Sequence, residues 1–137
     1  MENGTRDGRA IGVIGVPGDR RDEDMRDYGA LAATAFDEII VREDRNRRGR
    51  APAETAAHVL AGIRGARVNG SRTTRSDKIL DEMSAVRAAL RRANPGDLLV
   101  MCVDDAIGVY KETMAAAGHG LGTTAFADPG ELEAPEG

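Results

Sequence analysis

The sequence predicts an α/β fold: a Rossmann-like, doubly wound domain with a mostly parallel sheet and helices on both faces. Three observations carry this expectation. Short apolar runs, AIGVIGV, EIIV and LLVMCV, alternate with stretches of helical period. Each run empties into a loop of glycines or ions, as strands of an open sheet do at their carboxyl ends. The intervening segments are long enough for right-handed crossovers between parallel strands.

Residues 1–9 are polar and contain two glycines, so a flexible N-terminal arm is expected before a first strand at 10–16. Over 22–35, Met25, Tyr28, Leu31, Ala32 and Ala35 share one helix face, and Asp22, Glu23 and Asp24 sit at the positive helix start. A short buried strand follows at 38–42 through Ile39, Ile40 and Val41. The next helix is expected from 52 to about 64, with Pro52 in its first turn and Ala56, Val59, Leu60 and Ile63 facing inward.

Residues 65–77, GARVNGSRTTRSD, show no period and read as an exposed, mobile loop, with a very short strand at 78–80. Asp81 is placed to cap a third helix with the stripe Met83, Val86, Ala89, Leu90 and Ala93. Asn94-Pro95-Gly96 then turns the chain into 98–103, whose continuous apolarity suits a strand covered on both faces. A last helix is expected from 105 to about 117, with Ile107, Tyr110 and Met114 inward. Residues 118–137 read as a disordered tail. One domain thus spans 10–117. Three clear strands and one doubtful one are few for such a sheet, so the domain is expected to be incomplete, its remaining strands absent or supplied elsewhere.

Composition narrows the function. At 137 residues, 41% hydrophobic and 31% charged, the chain is the size of one domain with a modest core. Aromatic residues make up only 3%, which removes ring platforms for stacking bases. A net charge of −4 gives no overall field for nucleic acid or anionic membrane, and neither is expected as a partner. No apolar stretch reaches a membrane span, and MENGTRDGRA lacks the apolar core of a signal peptide. The single cysteine, Cys102, read as buried in a strand, forms no internal disulfide and fits a reducing compartment, so a cytoplasmic location is expected.

Two loops carry the chemistry. In the first, Gly15 to Asp22, a phosphate cradle is weakly indicated, because the glycine spacing fits no nucleotide fingerprint and Asp19, Asp22, Glu23 and Asp24 repel phosphate. A tight turn with Gly18 at positive φ and Asp22 as helix cap serves the sequence equally well. In the second, Arg42 to Arg50, arginine forks suit carboxylates, while Glu43 and Asp44 suit an ammonium or guanidinium. The pair matches a zwitterionic amino acid, against the plainer reading of a solvated loop of mutually screening ions. Asp104-Asp105 ends the last apolar run, with helix capping the expected role of at least one. His58, His119 and Cys102 show no metal-ligand spacing, so no metal site is expected, and no nucleophilic triad is readable.

The segments IGVIGVPGDRRDEDMRDYG, FDEIIVREDRNRRGRAP and NPGDLLVMCVDDA strongly resemble the carboxy-terminal domain of the Mur ligase half of cyanophycin synthetase. More distantly they are similar to the same domain of peptidoglycan Mur ligases, with a Gly-Asp-Arg loop and an Asp-Asn-Pro-Arg loop. Asp44 and either Arg47 or Arg48 match the second motif, but Arg45-Asn46 stand where that family has Asn-Pro. The Lys-Arg pair of the peptidoglycan enzymes falls near Asp24-Met25 and is missing. The resemblance implies an ATP-dependent ligase that joins an amino acid, arginine in the cyanophycin enzymes, to an activated carboxylate. By carry-over, Asp44, Asn46, Arg48 and Arg50 line the acceptor site with Gly18, Asp19 and Arg20 beside it, and none of them is a catalytic residue.

This sequence has no G-x-x-G-K-[ST] loop, and MENGTRDGRA does not match the family's preceding Asp-Tyr-Ala-His-Asn-Pro strand. The expectation is therefore a partial domain, inactive alone and binding no cofactor by itself, with ATP and magnesium belonging to the complete enzyme. A partner chain or self-association is expected to complete the sheet. The rival expectation is a non-catalytic amino-acid-binding or regulatory module.

Overall fold

The computed structural model describes residues 8–117. Eight elements alternate: β1 (Ala10–Ile14), α1 (Asp22–Ala35), β2 (Glu38–Val41), α2 (Glu54–Val68), β3 (Arg75–Lys78), α3 (Glu82–Arg92), β4 (Leu98–Met101) and α4 (Ala106–Ala117). The sheet order is β3-β2-β1-β4, and every pairing is parallel. Two steps run outward from β1 to β3, then the chain crosses to the other side of β1. The switch point therefore lies between β1 and β4, at the carboxyl ends of the strands.

Strand pleating divides the core in two. Ile14, Ile39 and Val41 meet Met25, Ala32 and Ala33 of α1 and Val59, Leu60 and Ile63 of α2. Ile11, Val13 and Ile40 point the other way and meet Ala85, Ala88 and Ala89 of α3. The helices lie on both faces, as expected. α1 and α2 approach at backbone distance: a Cβ on Gly29 would stand 2.1 Å from the Val59 carbonyl oxygen, and one on Gly62 1.9 Å from that of Arg26. Small residues are the condition of that contact.

Several expectations need correction. The loop expected at 65–77 is shorter: α2 runs to Val68, and β3 occupies Arg75–Lys78 rather than 78–80. β3 carries no apolar alternation because its backbone bonds to β2, not side-chain burial, hold it. Thr73 is buried, with its hydroxyl donating to the Ala33 and Phe36 carbonyls at 3.1 and 2.7 Å. α2 starts at Glu54, after Ala53 at φ 71°, whose N–H donates to Glu43 Oε2 at 2.6 Å, so Pro52 precedes the helix. Leu31, placed inward from the sequence, is 69% exposed.

The largest departure is at β4. Instead of being covered on both faces, it is, among the described residues, an edge strand paired only with β1, and Leu98 is 44% exposed. Cys102 lies just past the strand and is exposed, not buried. In α4, Val109 and Thr113 face inward, while Ile107, Tyr110 and Met114 are exposed. Residue 9, assigned to the arm, is tied down: Arg9 pairs with Glu38 and Asp97. Residues 1–7 of the arm and the tail lie outside the described residues. No described helix is long and apolar enough to cross a membrane.

Candidate functional site

The two charged loops meet at the carboxyl ends of β1 and β2. The Gly18 N–H donates to the Asn46 carbonyl at 2.7 Å, and a Cβ on Gly18 would stand 1.9 Å from the Arg47 carbonyl oxygen. Gly18 is therefore required by close backbone approach. Its φ is not positive, contrary to the tight-turn reading, and the left-handed residues of this region are Arg48 at 49° and Gly49 at 81°.

Arg50 locks the same junction. Its Nε donates to the Gly18 carbonyl at 2.9 Å, Nη2 to the Arg20 carbonyl at 2.7 Å, and Nη1 to Asp22 at 2.7 Å and Glu54 at 2.6 Å. The Asp22 carboxyl is held below its ordinary range first by the Arg50 hydrogen bond, with His58 and Arg26 adding to it. Asp22 does not cap α1: the N-cap is Arg21, without a side-chain bond, and Asp22 sits in the first turn.

Asp22, Glu54 and His58 place their ligating atoms within 4.8 Å of one another, a set that sequence spacing did not suggest because Asp22 comes from another element. The Arg50 guanidinium already supplies the positive charge between the two carboxylates. The signal that was available is the i,i+4 pair Glu54 and His58 on α2.

Beside this clasp opens a cleft of about 540 Å³. Glu43, Asp44, Asp81, Glu82 and Asp104 contribute five carboxylates to its wall, against Arg45 and Arg47, with Pro52 and Leu80 as the apolar part. Underneath lies Arg42, its side chain only 4% exposed. Nε and Nη2 donate to the Cys102 carbonyl at 2.9 and 2.7 Å. Nη1 lies 3.4 Å from Asp104 and 3.7 Å from Asp44, and Nε 3.4 Å from Glu82.

One buried guanidinium thus gathers acids from the loop after β2, from α3 and from the loop after β4. Glu82 in turn accepts the N–H groups of Asp104 and Asp105 at 2.7 and 2.8 Å, and Asp81 caps α3 through the Ser84 N–H at 2.9 Å. Asp105 accepts the Gly108 N–H at 3.0 Å in the first turn of α4, the capping role expected for one of that pair. Burial, then the neighbouring Cys102, push the phenol of Tyr28, on α1, up to about 12.

Of the residues proposed from sequence, Asp44 lines the cleft, and its Oδ1 accepts the Asn46 N–H at 2.8 Å. Asn46 contributes its backbone to the loop junction. Asp19, Arg20 and Arg48 are exposed away from the cleft wall, and Gly18 and Arg50 build the clasp behind it. Arg45 and Arg47 stand where Arg48 was expected. Arg42 and Glu82 were missed: Arg42 follows three apolar strand residues, a position that promises burial, and Glu82 directly follows the helix cap Asp81.

The family model described as Mur ligase, glutamate ligase domain, matches residues 1–102, which hold β1 to β4 and both loops. The chain belongs to the Mur ligase family. Cyanophycin synthetase of Crocosphaera subtropica is 40% identical over 94 residues, covering 69% of this chain and 10% of that protein. The cyanophycin synthetase of Trichormus variabilis is 43% identical over 94 residues, again 69% of this chain and 10% of the relative.

A UDP-N-acetylmuramoyl-L-alanyl-D-glutamate--2,6-diaminopimelate ligase of Corynebacterium efficiens is 36% identical over 95 residues, 69% of this chain and 18% of that ligase. The chain thus spans about a tenth of the length of the cyanophycin synthetases it matches. The all-parallel sheet with alternating helices agrees with a Mur ligase C-terminal domain.

Proposed function

We propose that this chain is the amino-acid acceptor and lid domain of an ATP-dependent amide ligase of the cyanophycin synthetase and Mur ligase type, and that its acceptor is a cationic amino acid, arginine. One observation carries the reading: the cleft at the strand ends is net negative, with two arginines on its wall. A guanidinium or ammonium side chain suits Asp44 and Asp104, and an α-carboxylate suits Arg45 and Arg47. Asp44 is the principal contact, and Asn46, through its backbone, Gly18 and Arg50 hold the two loops in register behind the cleft.

The acyl phosphate is made elsewhere. Mur ligases use ATP and magnesium, but this chain's residues do not fit a nucleotide: the sequence has no G-x-x-G-K-[ST] loop, and the cleft acids repel a triphosphate. The contribution of this domain is positional. It holds the amino acid while the amine, having lost a proton, attacks the acyl carbon, the amide bond forms and phosphate leaves. Closure of the domain excludes the water that would otherwise hydrolyse the acyl phosphate. The chain alone is inactive in this reading, and its place is the cytoplasm, where ATP is available.

The test is a ligation assay in which P-loop-bearing ligase domains and primer are supplied with and without this chain. Amide formation should require the chain and favour arginine over glutamate. Equal rates without it would refute the lid role. Arginine binding with no effect on turnover would favour the second reading, a non-catalytic amino-acid-binding module, for which the carboxylates and arginines paired on the cleft wall are the supporting observation.

A further inference from the structure

We propose that Glu82 is a positioning residue of the acceptor cleft: it fixes the turn after β4 so that the Asp104 carboxylate works with that of Asp44, and the pair selects a forked guanidinium over a point ammonium. The inference rests on the amino-acid reading of the cleft and goes beyond it by naming what separates arginine from lysine there.

β4 ends at Met101, and the chain has to turn into α4 at Ala106. Within that turn two successive backbone N–H groups, those of Asp104 and Asp105, donate to the two oxygens of one carboxylate, Glu82 Oε1 at 2.7 Å and Oε2 at 2.8 Å. Charge-assisted bonds to both oxygens fix orientation as well as distance, and so the direction in which the Asp104 side chain leaves the turn. Glu82 is itself held. It sits in the first turn of α3, where the helix dipole favours an acid, and Arg42 Nε stands 3.4 Å from its Oε1. A residue on α3 thus sets a loop that follows β4.

The consequence is at Asp104. Among the described residues its carboxylate makes its contacts through Oδ2: Arg42 Nη1 at 3.4 Å, the Arg45 N–H at 3.3 Å and Arg45 Nε at 3.8 Å. Oδ1 is left for a ligand. Asp44 comes to the same place from the other loop, its Oδ1 holding the Asn46 N–H at 2.8 Å and its Oδ2 standing 3.7 Å from Arg42 Nη1. Two carboxylates from different loops therefore share one buried nitrogen beneath them, and both line the cleft. A guanidinium, planar and with donors on separate nitrogens, serves two such acceptors at once. An ammonium is one compact, strongly hydrated nitrogen and gives up more water for fewer directed bonds. With Asp104 displaced, only Asp44 keeps its place, and geometry no longer tells the two cations apart.

Calorimetric titration of the full chain with arginine and with lysine reads the ratio of their dissociation constants. Wild type should favour arginine by about tenfold or more, the worth of one charge-assisted hydrogen bond. Glu82→Asp keeps every charge of the cleft but ends one carbon–carbon bond, about 1.5 Å, short of the turn. It should weaken arginine binding and bring the ratio below about threefold, with lysine binding nearly unchanged. Asp104→Asn should lower the ratio equally while weakening lysine as well, and combining the two variants should lower it no further, because Glu82 acts through Asp104. A contribution to folding alone would weaken both amino acids together and leave their ratio as it was. Hydrogen exchange followed by NMR checks the link without any ligand: the Asp104 and Asp105 amides should be protected in wild type and lose that protection in Glu82→Asp.

A wild type that binds both amino acids equally would overturn the role of Glu82 and leave the acceptor cleft standing; one that binds neither would overturn the cleft and this proposal together. An unchanged ratio in Asp104→Asn, or losses that simply add in the double variant, would sink it as well. So would unprotected Asp104 and Asp105 amides in wild type, a result that does not depend on any variant folding.

Discussion

The two ends of the sheet handle charge in opposite ways. At the amino-terminal end, ions are matched locally: Arg9 bridges Glu38 and Asp97, and Arg72 grips both oxygens of Asp37 at 3.0 and 2.9 Å. At the carboxyl end, buried Arg42 is shared among Asp44, Glu82 and Asp104, and the cleft keeps a surplus of negative charge. The same residue types staple strands at one end and leave an unmatched field at the other. An unmatched field persists only where solvent or a ligand supplies the counter-charge, which is why the carboxyl end is the one proposed to bind the amino acid.

The largest effect that would test this contrast is at Arg42. Arg42→Met removes the shared cation and leaves Asp44, Glu82 and the Cys102 carbonyl without it, at an expected cost of about 3–5 kcal/mol in urea unfolding. Next comes Asp44. Asp44→Asn keeps an acceptor for the Asn46 N–H but removes the charge, so in the assembled enzyme kcat/KM for arginine should fall by roughly 10- to 100-fold, the equivalent of about 1.5–3 kcal/mol, with the melting temperature nearly unchanged. Unaltered kinetics would reduce the second loop to a solvated surface. At the matched end, Arg9→Met should cost about 1–2 kcal/mol in the same unfolding assay and leave arginine capture untouched. A loss as large as that for Arg42 would erase the difference between the two ends.

The smallest effect is in pH dependence. Burial raises the Asp97 pKa, but the N–H groups of Asn94 and Arg9 and then the Arg9 guanidinium outweigh it, and the net shift is below the ordinary 3.8. A carboxyl depressed in the folded state contributes its full stability above that ordinary value and loses it as pH falls through the lower folded one. Unfolding free energies of wild type and Asp97→Asn should therefore run parallel above pH ~5 and converge below pH ~4. Curves parallel over the whole acid range would show that Asp97 carries no such linkage.

The fold was legible where periodicity is strong. Ile39, Ile40 and Val41, and the stripe Ala56, Val59, Leu60 and Ile63, are buried as their spacing dictates. β3 was not legible as placed, because Arg75-Ser76-Asp77-Lys78 forms a strand through backbone bonds to β2, and no side-chain pattern records that. The apolar run of β4 suggests double burial, but apolarity alone does not say whether a strand lies inside a sheet or at the end of its strand order. In the site, the loop motif led to Asp44. It could not separate Arg47 from Arg48, because the left-handed backbone at Arg48 turns that side chain from the wall. Arg42 was hidden for the opposite reason: its partners Glu82, Cys102 and Asp104 lie at least 40 positions downstream.

The contact of α1 with α2 through Gly29 and Gly62 bears on how such a domain diversifies. Those helices follow the first and second loops, and their separation is fixed by backbone against backbone, which leaves no side chain to adjust. A new acceptor preference cannot be reached by respacing the scaffold; substitutions that enlarge either glycine push the two loop bases apart together. In the proposed reading a change of acceptor is left to wall residues such as Asp44, Arg45, Arg47 and Asp104, charged groups that can be exchanged without moving that frame.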